Sequence, residues 1–160
     1  MKTTSVVTLV LGFLTFGIPL AQPSHAAPQH STMQPGNTAN HRVVIQISQN
    51  DPAVMNTALN NAENLTAYFA QKGESIAIEF VAYGPGLAMM RSDTSPVKDR
   101  LRALNASMKN IRFSGCGNTL GKQSKAESRA LTLVPEAHLV PTGIGRIVEL
   151  SEQGWTYVRP

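Results

Sequence analysis

The chain contains a single cysteine, Cys116, with a glycine on each side, Gly115 and Gly117. The preceding run Ile111-Arg112-Phe113 predicts a short strand, so the cysteine lies in a turn between a strand and a helix. A thiol at a helix N-terminus lies near the positive end of the helix dipole and near backbone N–H groups, which favour the nucleophilic thiolate. The flanking glycines permit a sharp turn that leaves the sulfur accessible. The pattern predicts sulfur chemistry at Cys116; the alternative is a small buried hydrophobic residue.

The first residues predict export. Lys2 precedes an apolar run from Val6 to Leu20, and the small-residue site Ser24-His25-Ala26 follows, which is typical of a secretory signal peptide. The apolar run is about 15 residues long, whereas a spanning helix needs roughly 20. A retained membrane anchor is the alternative. Cleavage after Ala26 gives a periplasmic or secreted protein that begins near Ala27 and has no membrane association.

An exported chain with one cysteine has no internal disulfide. Three states therefore remain open for Cys116: a buried inert thiol, a disulfide with another chain, or a free thiol with a function.

The charge balance argues against a nucleic-acid partner. The chain has 14 basic and 10 acidic residues, a formal charge of +4 that falls to +3 once Lys2 is removed. Nucleic-acid binders usually concentrate Lys and Arg on one face, often among stacking aromatic residues. Here the comparable feature is Lys98, Arg102 and Lys109 on one predicted helix, which we interpret as a solvated face.

Strand and helix patterns alternate over residues 41–160, after a leader of residues 27–40 that is rich in Pro, Gln, Ser and Asn. Alternation of this kind predicts an α/β fold: a single three-layer domain with a mostly parallel sheet of about five strands and helices on both faces. The predicted strands are Arg42–Ile47, Ser75–Val81, Ile111–Phe113, His138–Val140 and Trp155–Val158. The predicted helices begin at the caps Asp51 and Ser95, each followed by Pro, and at Thr142.

Three loops are expected at the carboxyl ends of the strands, where ligands gather in open parallel sheets. We predict that they line a pocket around Cys116, and that Lys122 adds positive charge one turn further on. The predicted pocket residues are Asn50, Asp51, Tyr83, Gly84, Pro85, Gly115, Gly117, Asn118 and Thr119.

Two glycine patterns approach nucleotide-binding motifs without matching them. In "CGNTLGKQS" Cys116 replaces the first glycine of a phosphate-binding loop, and Gln123 stands where Ser or Thr would hold a metal. Gly143-Ile144-Gly145 opens a predicted helix, but Val148 occupies the third glycine position of a dinucleotide fingerprint. The sequence therefore predicts no cofactor and carries no hydrolase, kinase or dehydrogenase signature.

The histidines do not predict a metal site. His41 and His138 begin predicted strands, at the sheet edge opposite to the cysteine. A Cys/His metal site or a Cys-His catalytic pair is therefore not expected.

Three segments, "VAYGPGLAMM", "IRFSGCGNTLGK" and "LVPTGIGRIVELSEQGWTYVRP", resemble the exported branch of the DsrE/DsrF-like family. They occur in the family's order, and the resemblance spans about Arg42 to Pro160. It implies assembly into trimers or hexamers, and a cysteine that carries sulfur as a persulfide between donor and acceptor proteins. Cys116 matches that cysteine, so the chain is at most a sulfur carrier or sulfurtransferase. The alternative is a non-catalytic ligand-binding or assembly module in which Cys116 is structural.

Overall fold

Five parallel strands form one sheet in the order β4-β3-β2-β1-β5. The computed structural model describes residues 38–160, so the predicted signal peptide, residues 1–26, and the leader as far as residue 37 lie outside the described residues. The strands are β1 His41–Ile47, β2 Ile76–Ala82, β3 Ile111–Cys116, β4 Ala137–Val140 and β5 Thr156–Val158. The helices are α1 Pro52–Gln71, α2 Lys98–Ser107, α3 Gly117–Ala126 and α4 Gly143–Glu152, with a 3-10 segment, Gly84–Met90, after β2. Within residues 38–160, no helix is long and apolar enough to cross a membrane.

Helices cover both faces of the sheet, because successive side chains of each buried strand point to opposite faces. On one face α1, α2 and the 3-10 segment enclose the larger core. On the other face α4 packs Ile147 and Leu150 against Val44 and Val81. This arrangement confirms the predicted three-layer α/β fold. The largest fully buried side chains include Phe80, Phe113, Ile45, Ile47, Met55, Leu59 and Leu101.

Helix α1 begins and ends as its sequence signals predict. The Asp51 carboxylate accepts a hydrogen bond of 2.8 Å from the Ala53 N–H, and Pro52 occupies the first helical position. The chain leaves the helix through Gly73, whose φ of +70° is the left-handed conformation that favours glycine. Val54 is partly buried, and Leu65 and Phe69 further along the helix pack against the core. The buried residues are Met55, Ala58, Leu59 and Ala62.

Two other boundaries differ from the predictions. Strand β3 continues to Cys116, because the ladder with β4 extends to the pair Cys116 and Val140. Helix α2 begins at Lys98 and not after Ser95, since the Ser95 hydroxyl donates to the Met89 carbonyl and does not cap the helix.

A buried ion pair fixes α4 to the sheet. Glu79 in β2 is fully buried, and its two carboxylate oxygens accept hydrogen bonds of 2.8 Å from Nε and Nη2 of Arg146 in α4. The Ser114 hydroxyl in β3 donates a further hydrogen bond of 2.7 Å to Oε1. The bidentate bond to Glu79 raises the pKa of Arg146 above its ordinary value. One carboxylate therefore ties together two strands and the helix that covers them.

Replacing Arg146 by Met should lower the free energy of unfolding by about 3 kcal/mol, because it removes the bidentate partner of the buried Glu79 carboxylate and leaves only the attraction of Arg112 on the neighbouring strand. Urea denaturation measures the loss. A double variant, Glu79→Met with Arg146→Met, should recover part of it, since both charges of the bidentate pair are then absent while Arg112 loses the attraction of Glu79. Equal losses in the single and double variants would contradict a charge-pairing role.

Candidate functional site

Cys116 is at once the last residue of β3 and the N-cap of α3. Its backbone is extended, with φ −71° and ψ 116°, and its Sγ accepts a hydrogen bond of 3.4 Å from the Thr119 N–H. The sulfur thus takes the position that a Ser or Asp oxygen takes in an ordinary helix cap. This confirms that the cysteine lies at a junction between a strand and a helix. The prediction of an accessible sulfur is wrong: Cys116 is buried, with 4% of its surface exposed, because the first turn of α4 packs against it.

Burial and the neighbouring donor groups shift the pKa of the Cys116 thiol in opposite directions. Burial of the side chain, the largest single influence, raises the pKa of the thiol. The Thr119 hydroxyl and the N–H groups of Thr119, Gly143 and Asn118 act in the opposite direction. Together they outweigh burial and place the pKa of Cys116 below its ordinary value. The donors come from the first turns of two helices, α3 and α4.

Gly143 allows the first turn of α4 to approach the cysteine. A Cβ atom at this position would lie 2.8 Å from Cβ of Tyr83 and 3.2 Å from Cβ of Cys116. Cβ atoms in real structures are essentially never found as close as 2.8 Å to another atom, so any side chain at position 143 would displace α4 or Tyr83. Gly117 on the other side is also closely packed, because its Cβ would lie 3.2 Å from the Val140 carbonyl oxygen.

The loop after β2 is joined to α3 through Gly84. The Gly84 N–H donates to Oγ1 of Thr119 at 3.0 Å, and the Gly84 carbonyl accepts from Nε2 of Gln123 at 3.3 Å. The adjacent Tyr83 N–H donates to the Ile47 carbonyl at 3.1 Å. Gly84 has a φ of +53°, so its backbone takes the left-handed conformation that a glycine adopts without strain.

The predicted pocket residues therefore divide into two groups. Tyr83, Gly84, Asn118 and Thr119 are linked to the cysteine turn by the contacts above, and the Asn118 N–H also donates to the Pro141 carbonyl. Asp51 instead caps α1. Four other predicted pocket residues lie elsewhere. Asn50 and Pro85 are exposed, whereas Gly115 packs against Leu133 and Gly117 packs against Leu139.

Gly143 is the member of the site that the sequence analysis did not assign to it. The sequence does place Gly143 at a predicted helix start, after Pro141 and Thr142. Only the fold shows that this helix, α4, begins beside β3. His138 lies in β4 opposite Ser114, whereas Cys116 lies opposite Val140. Within residues 38–160, no group of three or more His, Cys, Asp and Glu side chains is arranged to hold a metal ion.

Comparison with known proteins gives a relative of the same fold. No protein-family model and no curated protein matches the chain. A solved structure, that of MTH1491 from Methanobacterium thermoautotrophicum, matches with 31% sequence identity and a TM-score of 0.63. The match covers 76% of this chain and 100% of the MTH1491 chain. The chain belongs to the same family as MTH1491. MTH1491 is described as a protein of unknown function, so the kinship supplies a family and a fold, and the chemistry has to be argued from the site.

Replacing Gly143 by Ala should raise the pKa of the Cys116 thiol, because the new methyl group displaces the start of α4 and with it the Gly143 N–H, which lowers that pKa. Overpacking against Tyr83 should also lower stability by about 1–3 kcal/mol. The thiolate absorbance near 240 nm, followed against pH, measures the first effect without background from other cysteines.

Gly121→Ala in α3 is the matched control, since its Cβ would meet no atom within 4 Å. It should leave the thiol pKa unchanged and stabilise the protein by roughly 0.5–1 kcal/mol through helix propensity. A thiol pKa that is identical in Gly143→Ala and the wild-type protein would show that α4 does not influence the sulfur.

Proposed function

We propose that this protein is an exported, DsrE/DsrF-like thiol protein that accepts and carries, or senses, sulfur as a persulfide on Cys116. The observation that supports the proposal most directly is the hydrogen bond that Sγ accepts from the Thr119 N–H at the start of α3, with the Asn118 and Gly143 N–H groups as further donors that lower the thiol pKa. A persulfide carrier needs a thiol with thiolate character near neutral pH, and these donors favour the anion over the neutral thiol.

The proposed transfer is an exchange at sulfur without net oxidation or reduction. The Cys116 thiolate attacks the outer sulfur of a donor persulfide, the S–S bond of the donor breaks, and the donor leaves as a thiolate. A new S–S bond joins Cys116 to the transferred sulfur, which keeps the proton of the donor persulfide and then releases it to solvent to give the persulfide anion. Passage to an acceptor thiolate repeats the same step in the other direction.

The surroundings of the thiol limit the donors that fit. Cys116 exposes 4% of its surface. A terminal sulfur on a slender chain, as in a polysulfide or a persulfide side chain, would displace fewer of the surrounding residues than a bulky group would. A donor protein would therefore have to present its persulfide on a projecting segment.

Incubation of the purified protein with polysulfide should add the mass of one sulfur atom to the peptide that contains Cys116, and a thiol reductant should remove it. Mass spectrometry of the intact chain and of its peptides measures the addition. Cys116→Ser, which keeps an acceptor for the Thr119 N–H, should show no addition. A wild-type thiol that stays unmodified while a small-molecule thiol in the same tube is converted would contradict the proposal.

A second proposal, self-assembly into a homo-oligomer, is supported by exposed apolar side chains beside the cysteine turn. Leu139 is 61% exposed, Ile144 is 55% exposed and Val148 is 49% exposed. Ile144 and Val148 are one turn apart on α4, so they present a common apolar stripe. Leu139 lies against Gly117, which is adjacent to Cys116. Large apolar side chains exposed in one region are typical of contact sites between proteins.

Light scattering after size-exclusion chromatography should therefore show an oligomer, a trimer or a hexamer. Replacement of both Ile144 and Val148 by Lys should convert it to monomers, because burying two ammonium groups opposes association. Tyr68→Lys is the matched control, since Tyr68 is 52% exposed but lies on α1. A wild-type protein that remains monomeric at high micromolar concentration would contradict this assembly.

A further inference from the structure

Helix α3, which provides the first turn at the cysteine, has no buried residue of its own. The other three helices each bury at least two residues against the sheet. Apolar packing therefore contributes little to the placement of α3. Hydrogen bonds and ion pairs have to fix its position instead, so the groups that make them control where its N-terminal donors lie.

Arg91, which follows the 3-10 segment, makes the most extensive of these contacts. Nε and Nη2 donate to the Asp93 carboxylate at 3.0 and 2.8 Å. Nη1 and Nη2 donate to the Glu127 carboxylate at 2.6 and 3.0 Å, and Nη1 donates to Oε1 of Gln123 at 3.3 Å. All five N–H groups of the guanidinium thus have acceptors, and only 9% of the side chain is exposed.

The backbone at Arg91 is itself fixed to the body of the domain. Arg91 forms an antiparallel bridge with Leu133, and the neighbouring Ser92 N–H donates to the Thr132 carbonyl at 2.9 Å. The backbone of Arg91 is therefore fixed, and its guanidinium makes a bidentate contact with Glu127, the C-cap of α3. Arg91 thus fixes the C-terminal end of that helix.

A continuous path of hydrogen bonds leads from this guanidinium to the sulfur. Arg91 donates to the side-chain oxygen Oε1 of Gln123, and Nε2 of the same side-chain amide donates to the Gly84 carbonyl. The Gly84 N–H donates to the Thr119 hydroxyl, and the Thr119 N–H donates to Sγ of Cys116. The contacts that hold α3 in place therefore lead to Thr119, whose backbone N–H donates to the thiol.

We propose that Arg91 is a positioning residue for Cys116: by clamping α3 through Gln123 and Glu127, it holds the first turn of that helix in hydrogen-bonding distance of the sulfur. The inference adds to the proposed function a control of the same thiol. Its action is mechanical, since the carboxylates of Asp93 and Glu127 locally balance the charges of both Arg91 and Arg129, which contact them.

The test compares Arg91→Met, Arg91→Lys and Gln123→Met with the wild-type protein. The readouts are the thiolate absorbance of Cys116 against pH and its rate of alkylation by iodoacetamide at pH 7. Displacement of the Thr119 donor should raise the thiol pKa and slow alkylation by roughly threefold or more, because less thiolate is present. Lysine keeps the charge but lacks the fork geometry, so Arg91→Lys should not restore the wild-type value.

Arg100→Met is the matched control. Arg100 in α2 also bonds two side chains and a carboxylate of α1, namely Asn56, Asn60 and Glu63, but it has no link to the cysteine turn. Arg100→Met should change stability slightly and leave the pKa and the alkylation rate of the Cys116 thiol unchanged. Gln123→Met preserves the helix propensity of α3 and removes only the hydrogen bonds that link Arg91 to Gly84. It therefore still tests the inference if the Arg91 variants fail to fold.

A thiol pKa and alkylation rate that are unchanged in Gln123→Met and in a folded Arg91 variant would overturn the inference. So would full restoration by Arg91→Lys, which would show that charge acts and geometry does not. Both readouts use iodoacetamide or protons and need no sulfur donor. The outcome is therefore independent of whether polysulfide converts Cys116 to a persulfide.

Discussion

The paired charges of Glu79 and Arg146 are the constraint on which the site depends. A carboxylate in the middle of a sheet is costly to bury, and here it is compensated by a two-point contact from one helix and a hydroxyl from the next strand. That contact fixes the direction of α4 across the sheet. Because α4 begins with Gly143 beside Cys116, a bond in the middle of the fold determines which donors lie at its edge.

The cysteine site is assembled from backbone more than from side chains. Two helix starts and the loop at Gly84 meet where β3 ends, and the small residues Gly84, Gly117 and Gly143 let them approach. Aligned N–H groups of this kind are fixed before any reaction begins, so they need little reorganisation when charge develops on sulfur. The arrangement suits a group whose task is to gain and lose negative charge repeatedly.

The sequence was sufficient for the parts of this fold that depend on local chemistry. Asp51 and Pro52 began a helix as such residues do, and β-branched runs became buried strands. Long-range partners could not be predicted in the same way. Nothing local in the segment around Arg91 indicates that it would reach Glu127 in another element, and the polar run after Cys116 became helical because polar tertiary contacts fix it. Asn50 was expected near the thiol on topology alone and is exposed to solvent.

Both margins of the sheet are short, with four residues in β4 and three in β5. Edge strands this short offer few free main-chain groups to an incoming strand, which commonly protects proteins against edge-to-edge aggregation. Association through exposed side chains such as Leu139, Ile144 and Val148 does not need these short edges. Edge-to-edge pairing between the sheets of two molecules is therefore disfavoured.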